Sequence, residues 1–191
     1  MNDNILKSTD EVARTIRARR TIHNFQPGRL PPREHIIEAI NHAMWAPNHH
    51  LTEPWRFYLL GEETKERICV LNAEILQQAR GEEAARIKLQ RWREIPGWVL
   101  MTCNESKNRI RAMEDYAACC CAAQNFMLYL WSLEIGVKWS TGGVIRNRGF
   151  YDIVGMDPEQ ESVVGLFWYG YAQDIPQSTR KRNEDNIIEL P

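Results

Sequence analysis

The order of elements in this sequence predicts a mixed α+β fold, long helices around a sheet of a few strands. Two observations carry that expectation. Short apolar runs at 55–60, 98–103 and 162–171 have the length and the β-branched and aromatic content of strands. Between them lie longer segments in which apolar residues recur at helical spacing or helix-favouring residues dominate. A third observation bears on organisation: no internal repeat, low-complexity tract or composition shift divides the 191 residues, so a single domain, 1–191, is expected.

Ser8, Thr9 and Asp10 are N-cap candidates for a first helix reaching about Arg19, after which the chain loosens through Phe25-Gln26-Pro27-Gly28. Pro31-Pro32 starts a second helix whose positions 36, 37, 40 and 44 share a face and which Pro47 ends. Trp55 to Leu60 is a strand closed by Gly61. Residues 62 to about 93 are charged and helical, with a break near Gly81. Trp98 to Cys103 is the second strand. A long central helix then runs from about Asn108 to Leu133, with Gly136 as its C-cap. A short strand and glycine turn cover Val137 to Gly143, a short helix covers Phe150 to Val154, and Ser162 to Tyr171 is a strand too apolar for an exposed edge.

Charge and composition exclude several classes. With 24 basic against 25 acidic side chains the formal charge is -1, which gives no global reason to expect nucleic acid; a phosphate ligand must be small and locally held. Five cysteines, three of them consecutive at 119–121, do not form a disulfide framework and suit a reducing cytoplasm. Residues 1–10 are polar and do not read as a signal peptide. The apolar stretch Tyr116 to Leu133 is interrupted by Gln124, Asn125 and Ser132 and closed by Glu134. It therefore reads as a buried helix of a globular or dimeric fold rather than a membrane span.

Four segments could carry chemistry. Arg19-Arg20-Thr21-Ile22-His23 places two guanidiniums and a hydroxyl where a phosphate could be held, although arginines at a helix end also complement its dipole. Ala46-Pro47 to Phe57 is a proline-bracketed loop rich in donors, including His49 and His50. His35, His42, His49 and His50 reproduce no metal-ligand spacing, so no metal is expected. Lys138-Trp139-Ser140-Thr141-Gly142-Gly143 lets backbone approach a planar or anionic ligand, or is an ordinary turn; it is neither a Walker A loop nor a dinucleotide fingerprint. Arg180-Lys181-Arg182 is a basic tail, a solvated cluster or the other half of a phosphate clamp. The triple cysteine, set among Ala117, Ala118, Ala122 and Ala123, reads as small-residue packing. No nucleophile elbow or Ser-His-Asp order is visible, and Glu114 and Asp115 read as helix N-terminal acids.

Taken in order, these segments resemble the FMN-dependent nitroreductase family. Arg19-Arg20-Thr21 is similar to its opening Arg-Arg-Ser/Thr element, and Ala46-Pro47 through Pro54-Trp55-Arg56-Phe57 to its Ala-Pro…Gln-Pro-Trp-Arg-Phe element. Glu114-Asp115-Tyr116-Ala117-Ala118 with Gln124-Asn125 resembles its central helix, Gly136-Val137-Lys138-Trp139 its following turn, and Arg180-Lys181-Arg182 its basic tail. The resemblance implies a nitroreductase-like fold, a central mostly antiparallel sheet flanked by long helices, in an interlocked homodimer with two FMN sites at the interface. It implies reduction by NADH or NADPH and ping-pong transfer to a small-molecule acceptor, a nitroaromatic, a quinone or similar. It implies further that Arg19, Thr21, Arg180 and Arg182 hold the FMN phosphate and ribityl, with Arg20 alongside. His23 would stand near the pyrimidine edge, His49 would be a polar FMN contact, and Trp139, Ser140 and Thr141 would lie near the ring.

Three positions depart from the family pattern: Glu53 stands where Gln is common, His23 where Arg or Lys is frequent, and Ser140 where some relatives have Arg. A carboxylate at 53 opposes a flavin anion unless Arg56 or another cation pairs with it, and His23 makes any tuning pH-dependent. A flavin-binding protein of the same fold without nicotinamide turnover, and a helical interaction protein with basic surface clusters, remain as alternatives.

Overall fold

A computed structural model of the chain describes residues 2–179 and 186–191. Its elements are α1 (Asn2–Ala18), α2 (Arg33–Ala43), β1 (Trp55–Leu59), α3 (Glu62–Arg80), α4 (Glu82–Arg93), β2 (Gly97–Asn104), α5 (Arg109–Ser132), β3 (Ile135–Ser140), α6 (Arg148–Val154) and β4 (Glu161–Tyr171). The four strands form one sheet in the order β1-β2-β4-β3, every pair antiparallel. The mixed fold read from the sequence is therefore present, and the apolar 162–171 run is an interior strand.

Alternation along the strands assigns the two faces. Val99, Met101 and Cys103 of β2, with Phe167 and Tyr169 of β4 and Ile135 and Val137 of β3, meet Ile36, Ile40, Phe126 and Leu130 of α2 and α5. On the opposite face Trp98, Leu100, Leu166 and Trp168 pack against Ile68, Trp92 and Phe150 from α3, α4 and α6. Helices thus cover both sides, which is why β2 and β4 lack the polar alternation of a half-solvated strand.

The segment after α1 is laid against the β3 edge. Thr21 bridges Val137 in parallel, the Ile22 N–H donates to the Val137 carbonyl at 3.1 Å, and Phe25 bridges Ala172. Gly136 permits this: a Cβ there would come within 2.4 Å of Ile22 Cγ1. That role corrects the expected C-cap, because the left-handed residue after α5 is Glu134 (φ 62°) and Gly136 is already inside β3.

Other boundaries move for local reasons. Helical backbone begins at Asn2 rather than at the Ser8–Asp10 caps, since no Gly or Pro interrupts 2–18. The second helix ends at Ala43, and a turn closed by Ala46 N–H to Ala43 O at 3.0 Å leads to Pro47. Gly81 (φ 86°) breaks the 62–93 stretch where expected. Asn108 caps α5, its side-chain oxygen accepting from the Ile110 and Arg111 N–H groups.

Candidate functional site

Packing α4 beside β3 brings together basic groups that lie far apart in sequence. Lys138 projects from β3 with Nζ 4.7 Å from the Trp168 ring centroid, and Lys88 projects from α4 with Nζ 5.5 Å from that of Trp92. The two tryptophans stand 5.0 Å apart, and Trp98 completes a buried triangle with centroid separations of 5.5 and 5.6 Å. Among the described residues, none of the three buried indole N–H groups has a hydrogen-bond partner. Arg91, one turn after Lys88, donates to Asn24 Oδ1 at 3.2 Å, and a cleft of about 80 Å³ opens between His23, Asn24 and Arg91.

Electrostatics mark this as a region of excess positive charge. Burial, then the charges of Lys88 and Arg91, pushes the Lys138 ammonium below its ordinary range, and burial, then Arg91 and Arg80, does the same to Lys88. His23 is lowered by burial, then by Lys138 and Arg91, with Asp174 pulling the other way. Such crowding is relieved by an anion.

Of the residues expected at a site, the structure sets Thr21 and His23 along β3, from which Lys138 projects and at whose end Ser140 and Thr141 lie. Arg19 is half-buried at the end of α1. Arg20 takes the helix-end role, its guanidinium donating to the carbonyls of Arg17 at 2.6 Å and Arg19 at 2.9 Å. Trp139 is a strut in the sheet: its indole N–H donates to the Val164 carbonyl at 3.1 Å and its ring packs on Phe167 at 5.3 Å. Arg180 and Arg182 lie outside the described residues.

The proline-bracketed loop is tied to α5 rather than to β3. Thr52 Oγ1 donates to Asp115 at 2.6 Å, and His49 Nδ1 lies 3.1 Å from Glu114 Oε1. The Glu53 N–H donates to Asn48 Oδ1 at 2.9 Å. Arg56 does not pair with Glu53: its guanidinium goes to the buried carboxylate of Glu161, which also accepts from Tyr58 and Thr102. Among the described residues no group of three His, Cys, Asp or Glu side chains could hold a metal ion. No helix among them is long and apolar enough to cross a membrane.

Sequence reasoning singled out the segment that begins at Lys138 and read Glu114 and Asp115 as helix N-terminal acids within the central-helix motif, but it missed Lys88 and Arg91. The available signal was faint: Lys88 and Arg91 share a helix face that also carries the apolar Trp92, a mixture unlike a purely solvated stripe.

Known proteins share this fold. The model of the family described as "Nitroreductase family" matches residues 16–171. A protein of Bacillus subtilis (strain 168), YfhC, provisionally named an NAD(P)H nitroreductase, is 27% identical over 181 residues, covering 92% of each chain. A nitroreductase-like family protein of Bacillus cereus superposes with a TM-score of 0.82 at 31% identity, over 94% of this chain and 95% of its own. A Desulfovibrio desulfuricans structure, described as a nitroreductase in complex with FMN, reaches 0.73 at 20% identity, over 94% and 96%.

Proposed function

Since the chain belongs to the nitroreductase family, we propose that it is an FMN-dependent NAD(P)H oxidoreductase of one domain, 1–191, that passes electrons to a nitroaromatic, a quinone or a similar acceptor by a ping-pong mechanism. The observation that carries the reading is the convergence of His23, Lys88, Arg91 and Lys138 beside Thr21 on the β3 edge. The donor set fits FMN: a reduced flavin bears its negative charge at the pyrimidine edge, and these groups offer cations along one edge instead of at one point. When bound, FMN accepts hydride from NADH or NADPH and supplies two electrons to the acceptor.

The chain's own groups divide the remaining tasks. Arg19 and Thr21, with Arg180 and Arg182 of the tail, hold the phosphate and ribityl. Lys138, Lys88, Arg91 and His23 offset charge at the pyrimidine edge, and the backbone at Ser140 to Gly143 approaches the ring where side chains would obstruct it. Ping-pong exchange requires that donor and acceptor use one face of the bound cofactor in turn. The functional unit is a homodimer, and five unpaired thiols fit a reducing cytoplasm.

The test is the visible spectrum of the purified protein, followed by anaerobic NADH and then NADPH. Two flavin bands that bleach support the reading. Bands that persist favour flavin binding without nicotinamide turnover, and no bands after reconstitution with FMN would refute it.

A further inference from the structure

Asn24 stands where three parts of the chain meet. Its backbone is pinned to the segment that follows β4: the Gln173 N–H donates to the Asn24 carbonyl at 3.0 Å, and the Gln26 N–H donates to the Tyr171 carbonyl at 2.9 Å. Gln26 Nε2 adds a bond to the Ala172 carbonyl at 2.9 Å, and the intervening Phe25 is buried and bridges Ala172. With the backbone held in this way, Asn24 has only its side-chain torsions left to set. Both ends of its amide are used. Oδ1 accepts from Arg91 of α4 at 3.2 Å, and Nδ2 donates to Asp174 Oδ1 at 3.1 Å.

An arginine can only donate and a carboxylate can only accept, so the partners fix which way the amide points. The consequence is a spacing. Arg91 and Asp174 carry opposite charges and bond to the same amide, yet they form no ion pair with each other; nor does Arg91 pair with Glu94, which lines the same cleft. Joined directly, guanidinium and carboxylate would cancel, and the cluster would lose one of its cations. Kept apart, Arg91 acts on its surroundings as a cation: Lys138 and Arg91 each hold His23 down more strongly than Asp174 holds it up.

We propose that Asn24 is a positioning residue that holds Arg91 and Asp174 apart, so that Arg91 meets an anionic ligand as an uncancelled charge. The proposal rests on the FMN reading above for the identity of that ligand, whereas the spacing itself does not depend on it. Asn24 works through Arg91. A solvent-exposed ion pair adds little to global stability, so the effect of letting Arg91 and Asp174 meet is read in the local field and in ligand affinity instead of in the melting point.

The test is a cycle of three variants, Asn24→Ala, Asp174→Asn and the two combined, read in two ways. The first reading needs no cofactor: NMR titration of His23 in the apoprotein, where the charged groups acting on it are Lys138 of β3, Arg91 of α4 and Asp174. In Asn24→Ala, Arg91 closes on Asp174 and its depressing effect is lost, so the His23 midpoint should rise. In Asp174→Asn and in the double variant no carboxylate captures Arg91 and the raising charge is gone, so the midpoint should fall below that of wild type. The second reading is FMN affinity by fluorescence titration. It should weaken about tenfold in Asn24→Ala, the loss of one charge-assisted contact, hold or improve in Asp174→Asn, and recover in the double variant.

A His23 midpoint that stays put or falls in Asn24→Ala overturns the proposal, as does an unchanged FMN affinity in that variant. Affinity that the double variant fails to recover, or a large drop in melting point that persists in it, makes Asn24 a structural tie to the segment after β4, which overturns the proposal too. Failure of the wild-type apoprotein to bind FMN defeats the underlying functional reading instead, and the His23 midpoints still decide the spacing.

Discussion

Replacing Gly165 by alanine tests whether Trp139 is the fixed strut that the geometry makes it. A Cβ at 165 would lie 2.2 Å from Trp139 Nε1 and 2.4 Å from Cδ1, with the Ser140 carbonyl at 3.3 Å. The indole cannot retreat freely, because its N–H is bonded to the Val164 carbonyl and its ring is held on Phe167. Displacing it forfeits a hydrogen bond worth about 1 kcal/mol, and forcing a methyl into a packed site costs about 1–3 kcal/mol more. The sum, about 2–4 kcal/mol, corresponds to a melting-point loss of about 4–16 °C in a chain of this size. Because Ser140 and Thr141 follow Trp139 directly, FMN affinity, read by flavin fluorescence titration, should weaken as well. The assay is a thermal melt of Gly165→Ala in wild-type and Trp139→Ala backgrounds; in the second the alanine should cost little, a non-additivity expected of contacting residues. A melting point within 1 °C or so of wild type, or full additivity of the two changes, refutes the reasoning.

Lys88→Ala and Arg91→Ala should each raise the FMN dissociation constant about tenfold or more, as loss of a charge-assisted contact does, measured by fluorescence titration of apoprotein. Lys138→Met should also weaken FMN yet leave the melting point of the apoprotein undiminished, since it removes a crowded charge and keeps an apolar stem over Trp168; a large drop in melting point would contradict the crowding. His23 is lowered in the folded state, so the stability tied to its neutral form is present above its unfolded pKa of about 6.5 and is lost as pH falls through the lower folded value. Apoprotein melting points should therefore decline on acidification below about pH 6.5, and His23→Gln should flatten that part of the profile. Glu161→Ala leaves the Thr102 and Tyr58 hydroxyls without their acceptor while Arg56 turns to solvent, and should cost about 1–3 kcal/mol, read by denaturant unfolding.

Much of the fold was legible because it is written in local pattern. The uniform apolar run at 162–171 announced an interior strand, Gly81 announced the α3–α4 break, and Asn108 the start of α5. Gly136 was misread for a physical reason: a glycine just past a helix usually serves its C-cap, but here Ile22, over a hundred residues away, needs the space. The same division runs through the site. The motif segments at 19–23, 46–57 and 138–143 could be found in the sequence, and the family they pointed to is the one matched. Lys88 and Arg91 could not, because their meaning depends on α4 docking beside Lys138, and nothing within one helix reports its neighbour's charge. Glu114 and Asp115 looked like helix N-terminal acids until Thr52 and His49 arrived from the loop. For Trp139 the motif did not announce the sheet role its indole has, donating to the Val164 carbonyl.

The tryptophan triangle links assembly of the cradle to an optical property. Trp92 belongs to α4, as do Lys88 and Arg91, whereas Trp98 and Trp168 belong to the sheet. Trp98 and Trp168 couple their electronic transitions within the sheet, and Trp92 joins them only when α4 is docked. The protein therefore carries its own chiroptical gauge: the Trp92 part of its near-ultraviolet circular dichroism is present when the cations are gathered and is lost when the helix lifts away, readable without label, ligand or turnover.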